Sequence, residues 1–252
     1  MKKTLVSDYD KTFYLNDEDI EKNKNEIKKF RNTGNIFIIA TGRSFQDFKN
    51  VKNFYNIEYD YVILNHGATV LDSRDNVIYN YVIDNSIIKN LRQDLQLNTT
   101  KENFCCSIFE SRVDIDYSNL TKIHVNYNNN EIATKINNKL DKKYANYINK
   151  YFVKDNAIEI ISSKTDKSSA IKLLIQDLLL NENNVWTIGD GYSDIEMIKN
   201  FNGCCMKQSV SELKELTTNV FNSVSELVIK LMEGNKHGSI DVEDIDNLHK
   251  IW

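Results

Sequence analysis

An α/β fold, a doubly wound and mainly parallel Rossmann-like core sheet carrying an inserted α+β module, is predicted by three observations on this 252-residue chain. Short apolar runs end on polar residues, helical periodicity fills the gaps between the first of them, and the rhythm changes near residue 80. The first apolar run begins at Thr4 and leads into Ser7-Asp8-Tyr9-Asp10-Lys11-Thr12-Phe13. From Asp17 to Thr33, Ile20, Ile27 and Phe30 share a helical face, and Gly34 supplies a stop. Ile36-Phe37-Ile38-Ile39-Ala40 is a second buried strand, Phe45 to Phe54 a helix with Phe45, Phe48 and Val51 in step, and Tyr61-Val62-Ile63-Leu64 a third strand. Two right-handed crossovers in succession give a doubly wound sheet.

Between Tyr81 and Ile161 the pattern predicts a helix over 87–97, strands over 105–109 and 123–127, a helix over 131–144, and strands over 147–153 and 157–161. The core resumes with a helix carrying Lys167, a strand at Val185-Trp186-Thr187-Ile188, a helix over 195–200, short strands near 204–206 and 219–221, and a closing helix over 225–232. The expected division is therefore a core of residues 1–81 and 162–233, an insert of residues 82–161, and a polar tail, 234–252, that forms either a short amphipathic helix or a frayed end.

Polar residues at the strand ends carry the chemistry. In an extended strand, residues two apart point the same way, so Asp8 and Asp10 can share the crevice beyond the carboxyl end of the sheet. One can attack an electrophile, the other can manage a proton, and both can help hold a hard cation. Taken alone, Asp-x-Asp is also an ordinary turn. Thr41-Gly42-Arg43 after the second strand, Lys167 at a helix start and Gly189-Asp190-Gly191-Tyr192-Ser193-Asp194 after the Val185 strand can gather at the same sheet edge.

In that order, Asp8-x-Asp10-x-Thr12, Thr41-Gly42-Arg43, Lys167 and Gly189-Asp190-Gly191-x-x-Asp194 resemble the four motifs of the haloacid dehalogenase superfamily, in particular its Cof-type branch of small-molecule phosphatases; Asn65-His66-Gly67-Ala68 resembles a segment common in that branch. The resemblance runs to about Met232 and implies that the insert is a C2B-type cap, hinged to close over the crevice and choose the substrate. It implies Asp8 as nucleophile on a phosphomonoester such as a sugar phosphate, Asp10 as general acid and base, and Mg²⁺ held by Asp8, the Asp10 backbone carbonyl and Asp190. Thr41, Gly42, Lys167 and Ser193 would bind the phosphoryl group or substrate, with Asp194 supporting the metal or Lys167. Arg43 can clamp phosphate or pair with a core carboxylate. The chain departs from the pattern at Lys11, where the family usually has glycine, and at Ser193, where it commonly has asparagine. A phosphosugar mutase and a non-catalytic phosphometabolite sensor are the alternatives.

Composition narrows the setting. With 41% hydrophobic and 27% charged residues the chain is an ordinary globular protein, and its net charge of −4 offers no general basic field for nucleic acid. No secretory or membrane-spanning apolar run is present, which predicts a cytoplasmic protein acting on a small phosphorylated metabolite. The adjacent pairs Cys105-Cys106 and Cys204-Cys205 lack metal or redox spacing and read as reduced, buried residues. His66, His124, His237 and His249 are scattered, and none is assigned a catalytic role; Arg112 and His124 are the insert residues considered for substrate contact.

Overall fold

The computed structural model describes residues 2–154 and 156–233; the tail expected over 234–252 lies outside the described residues. The alternation of side chains along buried strands organises the core. Leu5, Phe37 and Ile39 face one layer while Val6, Ile36, Ile38 and Ala40 face the other, so both faces of the sheet must be covered and the strands read as unbroken apolar runs. Strands β1 (Thr4–Asp8), β2 (Ile36–Ala40) and β3 (Tyr61–Leu64) are parallel, and β11 (Val185–Gly189), β12 (Asn202–Met206) and β13 (Val220–Phe221) extend the parallel sheet from the other side of β1. Helices α1 (Asp17–Asn32), α2 (Phe45–Tyr55) and α8 (Val224–Glu233) cover the first face; α5 (Lys167–Asp177), α6 (Ile195–Asn200) and α7 (Ser211–Leu216) cover the second.

Local signals explain the helix ends. Asn16 caps α1 by accepting the backbone N–H groups of Glu18 and Asp19, and three acids in the first turn complement the helix dipole. Gly34, at φ +84°, turns the chain back into β2. Because the chain winds away from β1 in both directions, the crevice at its carboxyl end lies at the switch point, where open α/β sheets bind ligands.

The segment between β3 and α5 differs from the sequence reading in three places. Strands β4 (Thr69–Asp72) and β5 (Val77–Asn80) form an antiparallel hairpin that completes the eight-stranded order β13-β12-β11-β1-β2-β3-β4-β5. They are four residues long, and Val77 and Ile78 are exposed at the sheet edge, so they show neither the length nor the alternation that marks a strand in sequence. The second sheet, β7-β6-β8-β10-β9, is antiparallel throughout. It comprises β6 (Thr100–Cys106), β7 (Ser111–Val113), β8 (Lys122–Tyr127), β9 (Ile148–Lys154) and β10 (Ala157–Ser162), and it packs one face against α3 (Asn85–Asp94) and α4 (Asn130–Tyr144). The strand expected at 105–109 instead runs over 100–106, because its polar start Thr100-Lys101-Glu102-Asn103 is exposed or half-buried at the edge and only its end enters the core. The three-residue β7 and the helix α7 carry too short a pattern to predict. All four cysteines are free and buried.

The loop after β1 shows why residue 11 matters. Lys11 sits at φ +61°, donates its N–H to the Tyr14 carbonyl (2.9 Å) and accepts a bond from the Gln208 amide (2.8 Å) on its own carbonyl. A left-handed conformation costs a non-glycine residue about 1–2 kcal/mol, part of which glycine returns through its freer unfolded chain. Lys11→Gly is therefore expected to stabilise the protein by about 0.5–1 kcal/mol, read as a rise of roughly 1–4 °C in melting temperature; an unchanged or lower value would show that the loop carries no such strain.

Candidate active site

The end of β1 delivers Asp8 into the crevice with only 6% of its surface exposed. Asp166 caps α5 in a reciprocal box with Ser169, which fixes the first turn of that helix and so the base of the Lys167 side chain. The Lys167 ammonium reaches both Asp8 Oδ1 (2.6 Å) and Asp194 Oδ1 (2.7 Å). The other Asp194 oxygen accepts the backbone N–H groups of Asp190 (3.1 Å) and Gly191 (3.0 Å), so a single carboxylate positions both the lysine and the loop after β11. Thr12 donates its hydroxyl to Asp190 Oδ1 at 3.1 Å, tying that loop to the one after β1.

Electrostatics follow from burial. Asp8, Asp190 and Asp194 each offer an oxygen within 4.8 Å of the others, and one ammonium cannot offset three carboxylates. Burial pushes the Asp8 carboxyl well above its usual range, against the pull of Lys167 and with a further push from Asp194 and Asp190. Asp190 is raised for the same reasons, burial first and then Asp194. Burial works against the charge on Lys167, but Asp194 and Asp8 outweigh it and hold the ammonium protonated. Crowded hard oxygen donors with surplus negative charge fit a divalent cation of the Mg²⁺ type. The Asp10 side chain lies outside this trio.

Asp10 is instead gripped by Arg43, which donates Nε (2.9 Å) and Nη2 (2.7 Å) to its two oxygens while stacking 5.1 Å over the Tyr9 ring. Of the two roles open to Arg43 in the sequence, pairing with a carboxylate is the one it adopts here. The β1–β2 register sets Asp8 beside Ala40, which places the Thr41-Gly42-Arg43 turn against the Asp8-to-Asp10 loop. Ser193 lies half-buried in the short 3₁₀ turn Tyr192–Asp194 that leads into α6.

Main-chain bonding freezes the Thr41–Arg43 turn. Its N–H at Thr41 goes to Ile63 O (2.8 Å) and its N–H at Arg43 to Thr41 Oγ1 (3.1 Å). The Thr41 carbonyl accepts from His66 N (3.0 Å) and the Arg43 carbonyl from Asn65 N (2.9 Å). Asn65 and His66 supply these donors from the first two of three successive positive-φ conformations, +49° and +56°, followed by Gly67 at +113°. Such backbone strain is characteristic of functional loops. Gly42 has no side chain because a Cβ there would run into the His66 imidazole. The third carbonyl, Gly42 O, is taken by a residue of the second sheet: Lys122 Nζ, at 2.6 Å.

Lys122 belongs to a buried cluster that the sequence reading missed. Its ammonium also meets Glu159 Oε1 (2.9 Å), which accepts from His124 Nδ1 (3.0 Å), while Glu159 Oε2 accepts from His66 Nε2 (2.5 Å). Burial opposes the Glu159 charge, yet Lys122 and the two histidines hold the carboxyl well below its usual range. Burial lowers His66, against the opposing pull of Glu159, and its Nε2 faces that carboxylate. The alternation Lys122-Ile123-His124-Val125 did signal a polar face on that strand. That this face looks at residues 42 and 66 is set by packing over long sequence distances.

Comparisons agree with this architecture. The family model for haloacid dehalogenase-like hydrolase matches residues 5–113 and 98–229. A protein of Buchnera aphidicola subsp. Baizongia pistaciae whose name proposes a phosphatase is 27% identical over 265 aligned positions, covering 90% of this chain and 97% of that protein. An uncharacterised Mycoplasma capricolum protein is 27% identical over 237 positions, covering 80% and 88%. Among solved structures, a haloacid dehalogenase-like hydrolase from Bacteroides thetaiotaomicron superposes with a TM-score of 0.78 at 16% identity, over 92% of this chain and all of that one. A Thermotoga maritima protein gives 0.76 at 19% identity, over 91% and 97%. With the acid–lysine cluster standing at the switch point of a doubly wound sheet, the chain belongs to the haloacid dehalogenase-like hydrolases, in the Cof-type branch its motifs resemble.

Proposed function

We propose that the protein is a Mg²⁺-dependent phosphatase of a small phosphomonoester, acting through an aspartyl-phosphate. The observation that carries this reading is the buried ammonium of Lys167 between Asp8 and Asp194, a cation held beside the one carboxylate that stands at the end of β1. An Asp8 oxygen attacks phosphorus, forming the Asp8 O–P bond as the P–O bond to the alcohol breaks, and Asp10 gives that alcohol its proton. Asp10 then takes a proton from water, whose oxygen attacks phosphorus and releases orthophosphate, restoring Asp8. A divalent cation bound by Asp8, Asp190 and the Asp10 carbonyl, with Asp194 in support, would offset the surplus negative charge and so keep Asp8 ionised for attack.

The remaining residues have defined tasks. Thr41 Oγ1 accepts from Arg43 N, which leaves its O–H to donate to a phosphoryl oxygen. The Gly42 N–H, for which the bonds of the turn provide no partner among the described residues, supplies a second donor. Lys167 neutralises charge shared between Asp8 and the phosphoryl group, and Arg43 orients Asp10. Ser193 offers a hydroxyl at the rim. We take residues 82–161, which carry the second sheet, as the cap, and a sugar phosphate as the substrate class implied by the resemblance. Free, buried cysteines suit a reducing cytoplasm, and among the described residues no helix is long and apolar enough to cross a membrane.

The test is orthophosphate release from a panel of sugar phosphates, nucleotides and cofactor phosphates with Mg²⁺ and with EDTA. Release that requires Mg²⁺ and ranks sugar phosphates first is expected. No release from any ester by folded, Mg²⁺-supplied protein would overturn the reading. Conversion of a sugar phosphate to its positional isomer without release would replace it with a mutase.

A further inference from the structure

We propose that Lys122, on the inserted sheet, is a positioning residue for the phosphate-binding turn. Its ammonium completes the backbone bonding of Thr41–Arg43 only when the cap is seated, so that cap closure and assembly of that turn are one event. The inference rests on the phosphatase reading for its catalytic consequence, but its structural content stands on the geometry alone.

The three carbonyls of the turn are not held alike. Those of Thr41 and Arg43 are held by His66 N and Asn65 N, from the 3₁₀ turn Asn65–Gly67 that follows β3 in the core. That of Gly42 is held across the domain boundary by a side chain 80 residues away. The Gly42 carbonyl and the Arg43 N–H belong to one peptide unit, so fixing the carbonyl fixes the plane of the unit and, through Arg43 N to Thr41 Oγ1, the rotamer of the Thr41 hydroxyl. The carbonyl would otherwise be an unsatisfied acceptor in a closed site, or would turn towards water as the cap lifts.

Lys122 is built for this task. Its side chain is 3% exposed, its charge is balanced by Glu159, and Glu159 is in turn gripped by His124 from the same sheet and by His66 from the core. The cluster is thus a two-way stitch: a cap ammonium on a core carbonyl, and a core imidazole on a cap carboxylate. Asn65 Nδ2 to Thr121 Oγ1 (3.2 Å) and Ser44 Oγ to Ser111 Oγ (2.5 Å) flank it along the same seam. His66 joins the two halves, since its backbone N–H holds the Thr41 carbonyl while its ring holds Glu159.

Lys122→Met would strand Glu159 as a buried charge, so the decisive variant is the double Lys122→Met/Glu159→Gln, which removes both charges together, with Lys122→Arg for comparison. Amide hydrogen exchange is read for the peptides spanning residues 41–46 and 63–68 in the full-length protein, alongside KM and kcat for the best substrate and the affinity for orthophosphate with Mg²⁺. In the folded double variant, exchange in both peptides is expected to quicken by about tenfold, and orthophosphate binding and KM to weaken by about tenfold, the worth of one charge-assisted bond. The amides of residues 167–175 should keep their protection. Unchanged exchange at 41–46 and unchanged KM in a folded double variant would overturn the proposal, as would a uniform gain in exchange across the whole protein, which marks a merely structural role. If the wild type releases no phosphate yet the local exchange effect is found, the positioning role stands and the phosphatase reading falls.

Discussion

Asp8→Asn is expected to abolish phosphate release, by at least about 10⁴-fold, while leaving the protein folded. The amide keeps the shape of the carboxylate but cannot attack phosphorus. The fold survives because Lys167 retains Asp194 at 2.7 Å, and because one of three crowded buried carboxylates is made neutral. Asp8 is the group that burial, Asp194 and Asp190 all push towards the protonated form, so removing its charge relieves a cost that the native site carries for chemistry. The melting temperature without Mg²⁺ should therefore hold or rise as activity vanishes. A variant that loses activity only because it unfolds would show the opposite trend in the melt.

Lys167→Met acts on both properties together. Methionine fills much of the same volume but leaves Asp8 and Asp194 buried without their common cation. Breaking a buried pair from one side costs about 3–5 kcal/mol. In a chain of this size that lowers the melting temperature by roughly 6–20 °C. The rate should fall on the order of 10²–10³-fold, the usual effect of removing one preorganised electrostatic group. Added Mg²⁺ should restore part of the lost stability, because a divalent cation among Asp8, Asp190 and Asp194 takes over the neutralisation, but it should not restore the rate. Thermal melts with and without Mg²⁺, beside initial rates, separate the two effects.

The two variants probe the part of the site that was most legible in the sequence. Asp8, Lys167, Asp190 and Asp194 each close an apolar strand, open a helix or occupy the loop between them, and parallel strand order carries such positions to one edge. Local pattern is enough to assemble them. The hairpin β4–β5 and the three-residue β7 were not legible, because short strands at or next to a sheet edge are held by their neighbours more than by their own alternation. Nor was the pairing of Arg43 with Asp10, which depends on the Tyr9 ring as a shelf for the guanidinium.

Lys122, Glu159 and His66 show the same limit more sharply. Each is an unremarkable residue within its own segment, and the three meet only because the antiparallel sheet lays its polar face on the Thr41–Arg43 turn. A histidine assigned no catalytic role in the sequence reading turns out to join core and cap. By contrast, the departure at Lys11 was legible as a departure, and its backbone angle of +61° now supplies the physical reason a glycine suits that position.

Passage of phosphate through a covalent bond to Asp8 is tested by peptide mapping with mass spectrometry after an acid quench during turnover with Mg²⁺. A phosphoryl group is expected on the peptide carrying Asp8 in the wild type and is expected to be absent from Asp8→Asn. Steady phosphate release with no phosphoryl group on that peptide, or release that persists in Asp8→Asn, would contradict it.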